Sequence, residues 1–251
     1  MVNLLYCEFL KLKRSKMFLI SFLGALVTPL LMFVNHVGTH FRRPGVVFNM
    51  ASFYDDTLLF TMLLIGPIVY AVVVAYLFSR EYTENTLKTI LTVPVKKQTF
   101  IISKFVMLFV WILFLSLISW MSISILAVLF HTMFGLTEVG IGIAFNYLGR
   151  IMIGGSFMFF LMTPFAFLAI WSKNFVVPLI SSAVVMTLNM LLMNTSFNAI
   201  YPWTAPMHFV LSNELLEQSS YPYPIMIGSI ALISVLGFVL SIAYFQREDV
   251  S

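Results

Sequence analysis

Charge is scarce in this sequence. Of 251 residues only 10% are Asp, Glu, Lys or Arg while 61% are hydrophobic, against roughly 25% and 45–50% in a soluble domain. So little polar surface excludes an ordinary water-soluble fold. Six stretches lack Asp, Glu, Lys, Arg and His altogether: residues 17–34, 58–78, 105–130, 151–171, 175–193 and 225–245. Each reaches the roughly 17–25 residues that a helix needs to cross hydrocarbon. They predict an all-α polytopic membrane protein, one transmembrane domain over residues 1–251 with six spans.

Other absences narrow the chemistry. Cys7 is the only cysteine, which excludes a disulfide framework and a cysteine metal site; it reads as a small apolar residue in a helix. No lysine follows a glycine, so the GxxxxGK[ST] phosphate loop cannot occur, and GxSxG and HExxH are missing too. Proton-coupled carriers and intramembrane hydrolases need ionisable groups at depth, and the six stretches have none. The chain has to take its energy from an attached motor.

The charge that is present is one-sided. With the amino terminus inside the cell, the inner segments hold 11 of the 14 Lys and Arg residues, and only Arg42, Arg43 and Arg150 lie outside. Asp and Glu divide five and five, so the bias lies in Lys and Arg, where orientation is read. Both termini then face the cytoplasm of a cell-membrane protein. The net charge of +4 divides into +6 inside and −2 outside; that pattern suits loops beside an anionic leaflet and is no sign of nucleic-acid binding.

Residues 2–16, VNLLYCEFLKLKRSK, place Leu5, Phe9 and Leu12 on one face and Glu8, Lys11 and Arg14 on another. A basic amphipathic helix of this kind lies in the inner interface. It is not a signal peptide, because the apolar run after it is long and no small-residue cleavage site follows. Pro29 and Gly66-Pro67 mark kinks, tolerated where neighbours satisfy the freed backbone groups. His36 and His40 are four apart, without a third metal ligand at fitting spacing.

Residues 79–104 form the one long polar interval on the basic side. Within it Leu87, Ile90 and Leu91 recur at helical spacing opposite Glu84, Asn85, Lys88, Thr89 and Thr92, which predicts a short amphipathic helix over residues 84–92. Pro94 ends it. So short a helix needs a surface for its Leu/Ile stripe: a partner, or lipid. Trp171, Ser172, Lys173 and Asn174 make a tight inner turn, a second and smaller contact for a cytoplasmic partner.

Polar residues within the spans carry two readings. Ser116, Ser119 and Ser122 along one side of the third span, near Trp111 and Trp120, either let helices approach and bond across the bundle or line a path for a ligand. Met186, Met190 and Met193 form a stripe that suits packing or varied apolar ligands, and Asn189 beside them needs a partner inside the bundle. Residues 195–224 are aromatic and broken by Pro202, Pro206, Pro222 and Pro224. They predict short or re-entrant outer helices. The sequon at Asn194 is a weak three-residue match.

The pattern Glu81-x4-Thr86-x4-Leu91-x2-Pro94-Val95-x-Lys97, with Ser103-Lys104 opening the next span, resembles the coupling region of ABC type-2 permeases. The amino-terminal elbow helix, the six-span plan and the proline-rich segment before the last span are similar as well. Asn85 and Ser103 stand where that family often has glycine. The opening LLYCEFLKLKRSKMFLI and the PWTAP segment look most like its bacitracin and lantibiotic resistance branch. The resemblance implies a permease that dimerises and binds two copies of a separate cytosolic ATPase, with ATP and Mg on that partner and no cofactor on this chain. Glu81, Glu84, Thr86, Leu87, Lys88, Leu91, Pro94 and Lys97 would form the coupling surface. An amphipathic peptide antibiotic or lipid-linked ligand would be moved outward, leaving the cell resistant. Two other classes compete: an immunity or sensor protein that binds an antimicrobial peptide without transport, and an intramembrane enzyme on a lipid carrier. For the enzyme the candidate groups His131, Glu138 and Arg150 all fall in one outer loop.

Overall fold

The computed structural model describes residues 2–43, 45–84, 86, 96–211 and 222–247, omitting the side chains of residues 2 and 3. Every regular element among them is helical. In chain order these are α1 (Val2–Lys13), α2 (Lys16–Arg42), α3 (Met50–Phe60), a π-helical turn (Thr61–Ile65), α4 (Gly66–Thr83), α5 (Lys97–Phe134), α6 (Ile141–Leu161), α7 (Thr163–Ser172), α8 (Val176–Leu192), α9 (Met207–Val210) and α10 (Tyr223–Arg247).

Five of the described segments are long and apolar enough to cross a membrane: Lys16–Arg42, Met50–Thr83, Lys97–Phe134, Ile141–Ser172 and Tyr223–Arg247. The sixth apolar helix, Val176–Leu192, has 17 residues. The other five overrun their charge-free stretches at both ends, whereas Val176–Leu192 falls one residue short of its own at each end. α5 alone has 38 residues, about 57 Å at 1.5 Å per residue. The overrun corrects two sequence expectations. The outer segment after residue 34 is helical to Arg42 and again from Met50, and Arg150 belongs to α6 rather than to a loop. Ionisable groups also enter the long helices, namely His36, Asp55, Glu81 and Lys104, all buried.

The helices run alternately, so one end of the bundle gathers α1, the start of α2, the ends of α4, α7 and α10, and the start of α5. Lys11, Arg14, Lys16, Arg80, Lys97 and Arg247 make this the basic end. At the other end Thr137 N–H donates to Phe48 O (3.0 Å), Arg150 Nη1 donates to Val210 O (3.4 Å), and Trp203 meets Phe165 of α7 with ring centroids 6.0 Å apart. The segment before residue 212 thus packs into the bundle. Residues 212–221 lie outside the described ones.

Proline shapes the long helices, and each kink has its donor. A proline at position i cannot bond the carbonyl at i−4. Pro29 frees Ala25 O, which accepts from Ser119 Oγ of α5 (3.1 Å). Pro67 leaves Leu63 O in the π-turn, and Asn189 Nδ2 of α8 donates to it (2.9 Å). Pro164 frees Phe160 O at the break between α6 and α7, where Thr163 Oγ1 donates (2.9 Å). In a bilayer no water reaches such carbonyls, so these hydroxyls and amides replace it. At that break α10 crosses at Gly237, where an added Cβ would stand 2.5 Å from Pro164 N.

Candidate functional site

At the basic end four charged side chains meet inside the protein. Lys104, on α5, lies in line with Phe100 and Leu108, one turn to either side, and both of those are buried; helical period carries the lysine into the same packed face. Its ammonium has three donors and three acceptors around it: Leu77 O (2.5 Å), Glu81 Oε2 (2.6 Å) and Glu8 Oε2 (3.4 Å). The ring of Phe100 lies 5.1 Å from it. Lys11 of α1 closes the set, 2.8 Å from Glu8 Oε1 and 3.3 Å from Glu81 Oε1. Lys104 and Glu81 are each 2% exposed and Glu8 4%.

Two carboxylates and two ammoniums cancel, which is the condition for holding charges out of water. Burial pulls the Lys11 ammonium toward the neutral form, and the Glu8 and Glu81 carboxylates more than offset that, leaving its pKa above the ordinary lysine value. The cluster joins three elements. α1 carries Glu8 and Lys11, the end of α4 carries Glu81, and the start of α5 carries Lys104.

The arrangement corrects the sequence reading of α1 in part. Leu5 and Leu12 of the expected apolar face pack against the core, whereas Phe9 of that face is exposed along with Tyr6 and Cys7, and Glu8, placed on the polar face, is buried. The charges on α4 and α5 supply the reason: Lys104 gives the buried Glu8 a partner.

Around the cluster, Arg80 donates to both carboxylate oxygens of Glu84 (2.9 and 3.0 Å) and to Lys11 O (3.3 Å), one of the last carbonyls of α1. Such a cation suits the negative end of a helix dipole. Thr86 N–H donates to Glu81 O (3.0 Å). Lys97 Nζ reaches Gln246 O of α10 (3.5 Å). Leu87, Lys88, Leu91 and Pro94, and with them most of the expected helix over 84–92, lie outside the described residues.

The second expected contact is close by. Lys173 ends α7 in the left-handed conformation (φ 52°), Ser172 Oγ donates to Leu168 O (2.6 Å), and Asn174 Oδ1 accepts from Val176 N–H at the start of α8 (3.0 Å). Trp171, Lys173 and Asn174 are exposed. The Lys173 ammonium sits 5.6 Å from the ring of Tyr82 on α4. The turn and the end of α4 therefore form one face, and an open groove of about 510 Å³ runs between them and the α1–α2 corner, lined by Lys16, Tyr76, Arg80, Thr83, Glu84 and Phe175 among others.

The polar residues of the spans are bonded to helix carbonyls. Ser119 and Asn189 cap carbonyls freed by proline. Ser116 bonds Ile112 O (2.9 Å) and abuts Gly155 of α6, and Ser122 bonds Ile118 O (2.8 Å). Asn189 is fully buried, whereas Met186 is half-buried and Met190 exposed. Its amide oxygen, Asn189 Oδ1, has no partner among the described residues. Among the described residues no group of three His, Cys, Asp or Glu could hold a metal ion. His36 is engaged through Nδ1 with Met32 O (2.7 Å) and through Nε2 with Asp56 (3.2 Å). His131 Nδ1 accepts from Leu136 N–H (3.0 Å) and Arg150 donates to Asn146 Oδ1 (2.9 Å), while Glu138 is exposed.

Residues 4–189 match the family of ABC-2 family transporter proteins. Over 209 residues the chain is 33% identical to the "Bacitracin transport permease protein BCRB" of Bacillus licheniformis, covering 83% of this chain and 97% of that one.

Proposed function

The chain belongs to the ABC-2 transporter family, and from that premise we propose that it is the membrane subunit of an ATP-driven exporter of an amphipathic peptide antibiotic, bacitracin-like or lantibiotic-like, or of a lipid-linked ligand. It crosses the membrane six times, Val176–Leu192 included, since 17 residues lie within the spanning range. The basic end faces the cytoplasm, following the Lys and Arg bias.

A cytosolic ATPase, two copies to a permease dimer, binds the face made by residues 79–97 and the turn at 171–174. ATP and Mg sit on that partner. Closure of the ATPases pushes on the segment between α4 and α5. The ion cluster carries the displacement into α1 and both helices together, because Lys104, Glu81 and Glu8 cannot separate without stranding a buried charge. Glu81 thus acts from within, as a positioning residue, while Glu84, Thr86, Leu87, Lys88 and Leu91 meet the partner.

The observation that supports this most is the junction itself: the end of α4, where the first segment begins, lies beside the turn at 171–174 and next to a buried cluster tied to three helices. Expression with and without the ATPase, scored as resistance to a panel of peptide antibiotics, tests the reading. Resistance is expected only with both proteins, and co-purification of the two is lost on Leu87→Asp/Leu91→Asp. Resistance from this chain alone would instead favour a non-transporting immunity protein.

A further inference from the structure

The corner between α1 and α2 carries more positive charge than its neighbours answer. Residues 2–16, residues 79–84 and Lys104 bring six Lys and Arg side chains together with three carboxylates, those of Glu8, Glu81 and Glu84. The carboxylates are engaged by Lys11, Lys104 and Arg80, so the excess falls to Lys13, Arg14 and Lys16, all exposed. None of these three has a side-chain hydrogen bond or ion pair among the described residues. The last carbonyls of α1, which would attract them, are occupied: Leu10 O by Arg14 N–H (3.0 Å), Lys11 O by Arg80 Nη1 (3.3 Å) and Leu12 O by Ser15 N–H and Oγ (3.1 and 2.7 Å).

A pocket of about 260 Å³ opens at this corner, lined by Leu10, Lys11, Arg14, Ser15 and Arg80. Three of its five lining residues are cations and none is acidic. Arg14 is unengaged, and the other two keep donors to spare. The Lys11 ammonium uses two of its three N–H groups on carboxylates, and Arg80 uses one of its five on Glu84 and one on Lys11 O. Ser15 and Arg80 also line the groove of about 510 Å³ beside it, so the two spaces join. In that groove Lys16 adds a fourth cation, the one carboxylate, Glu84, is held by Arg80 (2.9 Å), and the lining turns apolar at Met17, Tyr76 and Phe175. These three lie on the membrane side of the charges. Tyr76 is one turn of α4 before Arg80, Met17 follows Lys16 into α2, and farther along α2 Leu19, Ile20 and Leu23 are exposed.

We infer that the joined pocket and groove bind one anionic phospholipid, its phosphate among Lys11, Arg14 and Arg80 and its acyl chains over Met17, Tyr76 and Phe175. Basic pockets between membrane helices select anionic headgroups, and here the cations line the pocket itself. A free phosphate, or an acidic segment of a partner protein, would answer the charge and leave the apolar part of the groove uncovered. A phospholipid answers both.

Native mass spectrometry of the purified full-length chain tests this without ATPase or antibiotic, and so independently of the transport reading. After equilibration with equal amounts of phosphatidylglycerol and phosphatidylethanolamine of the same chain length, one phosphatidylglycerol is expected to be retained in preference. Arg14→Gln/Lys16→Gln should lower its retention by about tenfold or more, as two charges near a headgroup imply. Arg42→Gln/Arg43→Gln removes the same charge from the opposite end and should leave retention unchanged. Arg14→Gln alone serves if the first double variant does not fold. Equal retention of the two lipids by the wild type, unchanged retention in the Arg14 and Lys16 variants, or an equal fall in both double variants overturns the inference. So does displacement of the lipid by equimolar glycerol phosphate, which would reduce the site to one for phosphate alone. Loss of the lipid from the complex with the ATPase would give the pocket to that partner and overturn it as well.

Discussion

At the scale of single residues, the buried charges and the proline partners set the energetics. Lys104→Met leaves Glu8 and Glu81 facing each other with Lys11 as their only cation. The expected loss is about 3–5 kcal/mol, the usual cost of stranding a buried charge, seen as a lower midpoint in thermal unfolding. Glu81→Met/Lys104→Met removes a matched pair and leaves Glu8 with Lys11 at 2.8 Å, so most of that stability should return. Asn189→Leu deprives Leu63 O of its donor and should cost about 1 kcal/mol. In a Pro67→Ala background the backbone supplies an N–H again, and the same change should cost less; equal costs in both backgrounds would remove Asn189 from this role. Part of this was legible in advance. Gly66-Pro67 announced a kink and Asn189 announced a need for a partner, but 122 positions of sequence separate Pro67 from Asn189, and only folding shows that each answers the other. Lys104 was legible in part, as the start of a span on the period that buries Phe100 and Leu108, but the carboxylates it meets lie 23 and 96 positions away.

At the scale of elements, charge-free runs located the long helices and understated their lengths. A helix continues past the last apolar residue wherever polar side chains find partners. Asn49 Oδ1 accepting from Ser52 N–H (2.7 Å) starts α3 well before the apolar run, and the ion cluster lets α4 and α5 carry charges inside. The orientation of α1 was not legible, because its periodicity separates charged from apolar faces without saying that another element offers the opposite charge. α10 depends on close approach at one point. An added Cβ at Gly237 would meet backbone atoms of Thr163 and Pro164, whereas at Gly228 of the same helix it would meet nothing within 4 Å. Gly237→Ala should therefore destabilise by about 1–3 kcal/mol through overpacking. Gly228→Ala should be neutral or gain up to about 1 kcal/mol from helix propensity, and matched unfolding curves of the two variants compare them directly.

At the scale of the whole molecule, the basic end combines an exposed face with a neutral, buried ionic joint, and the rest of the described bundle is mostly apolar packing, with His36 and Asp55 buried toward the other end and the proline kinks satisfied internally. That division suits a protein moved from one end. Cys7 offers a native probe of which side that end occupies: it is the sole cysteine and is exposed. A membrane-impermeant maleimide should label it in intact cells only after permeabilisation. The joint itself is tested most directly by ligand-stimulated ATP hydrolysis of the permease reconstituted with its ATPase, comparing wild type with Glu81→Met/Lys104→Met. The account predicts that the variant folds and still holds the ATPase, yet the antibiotic no longer stimulates hydrolysis. Undiminished stimulation in that variant would contradict it.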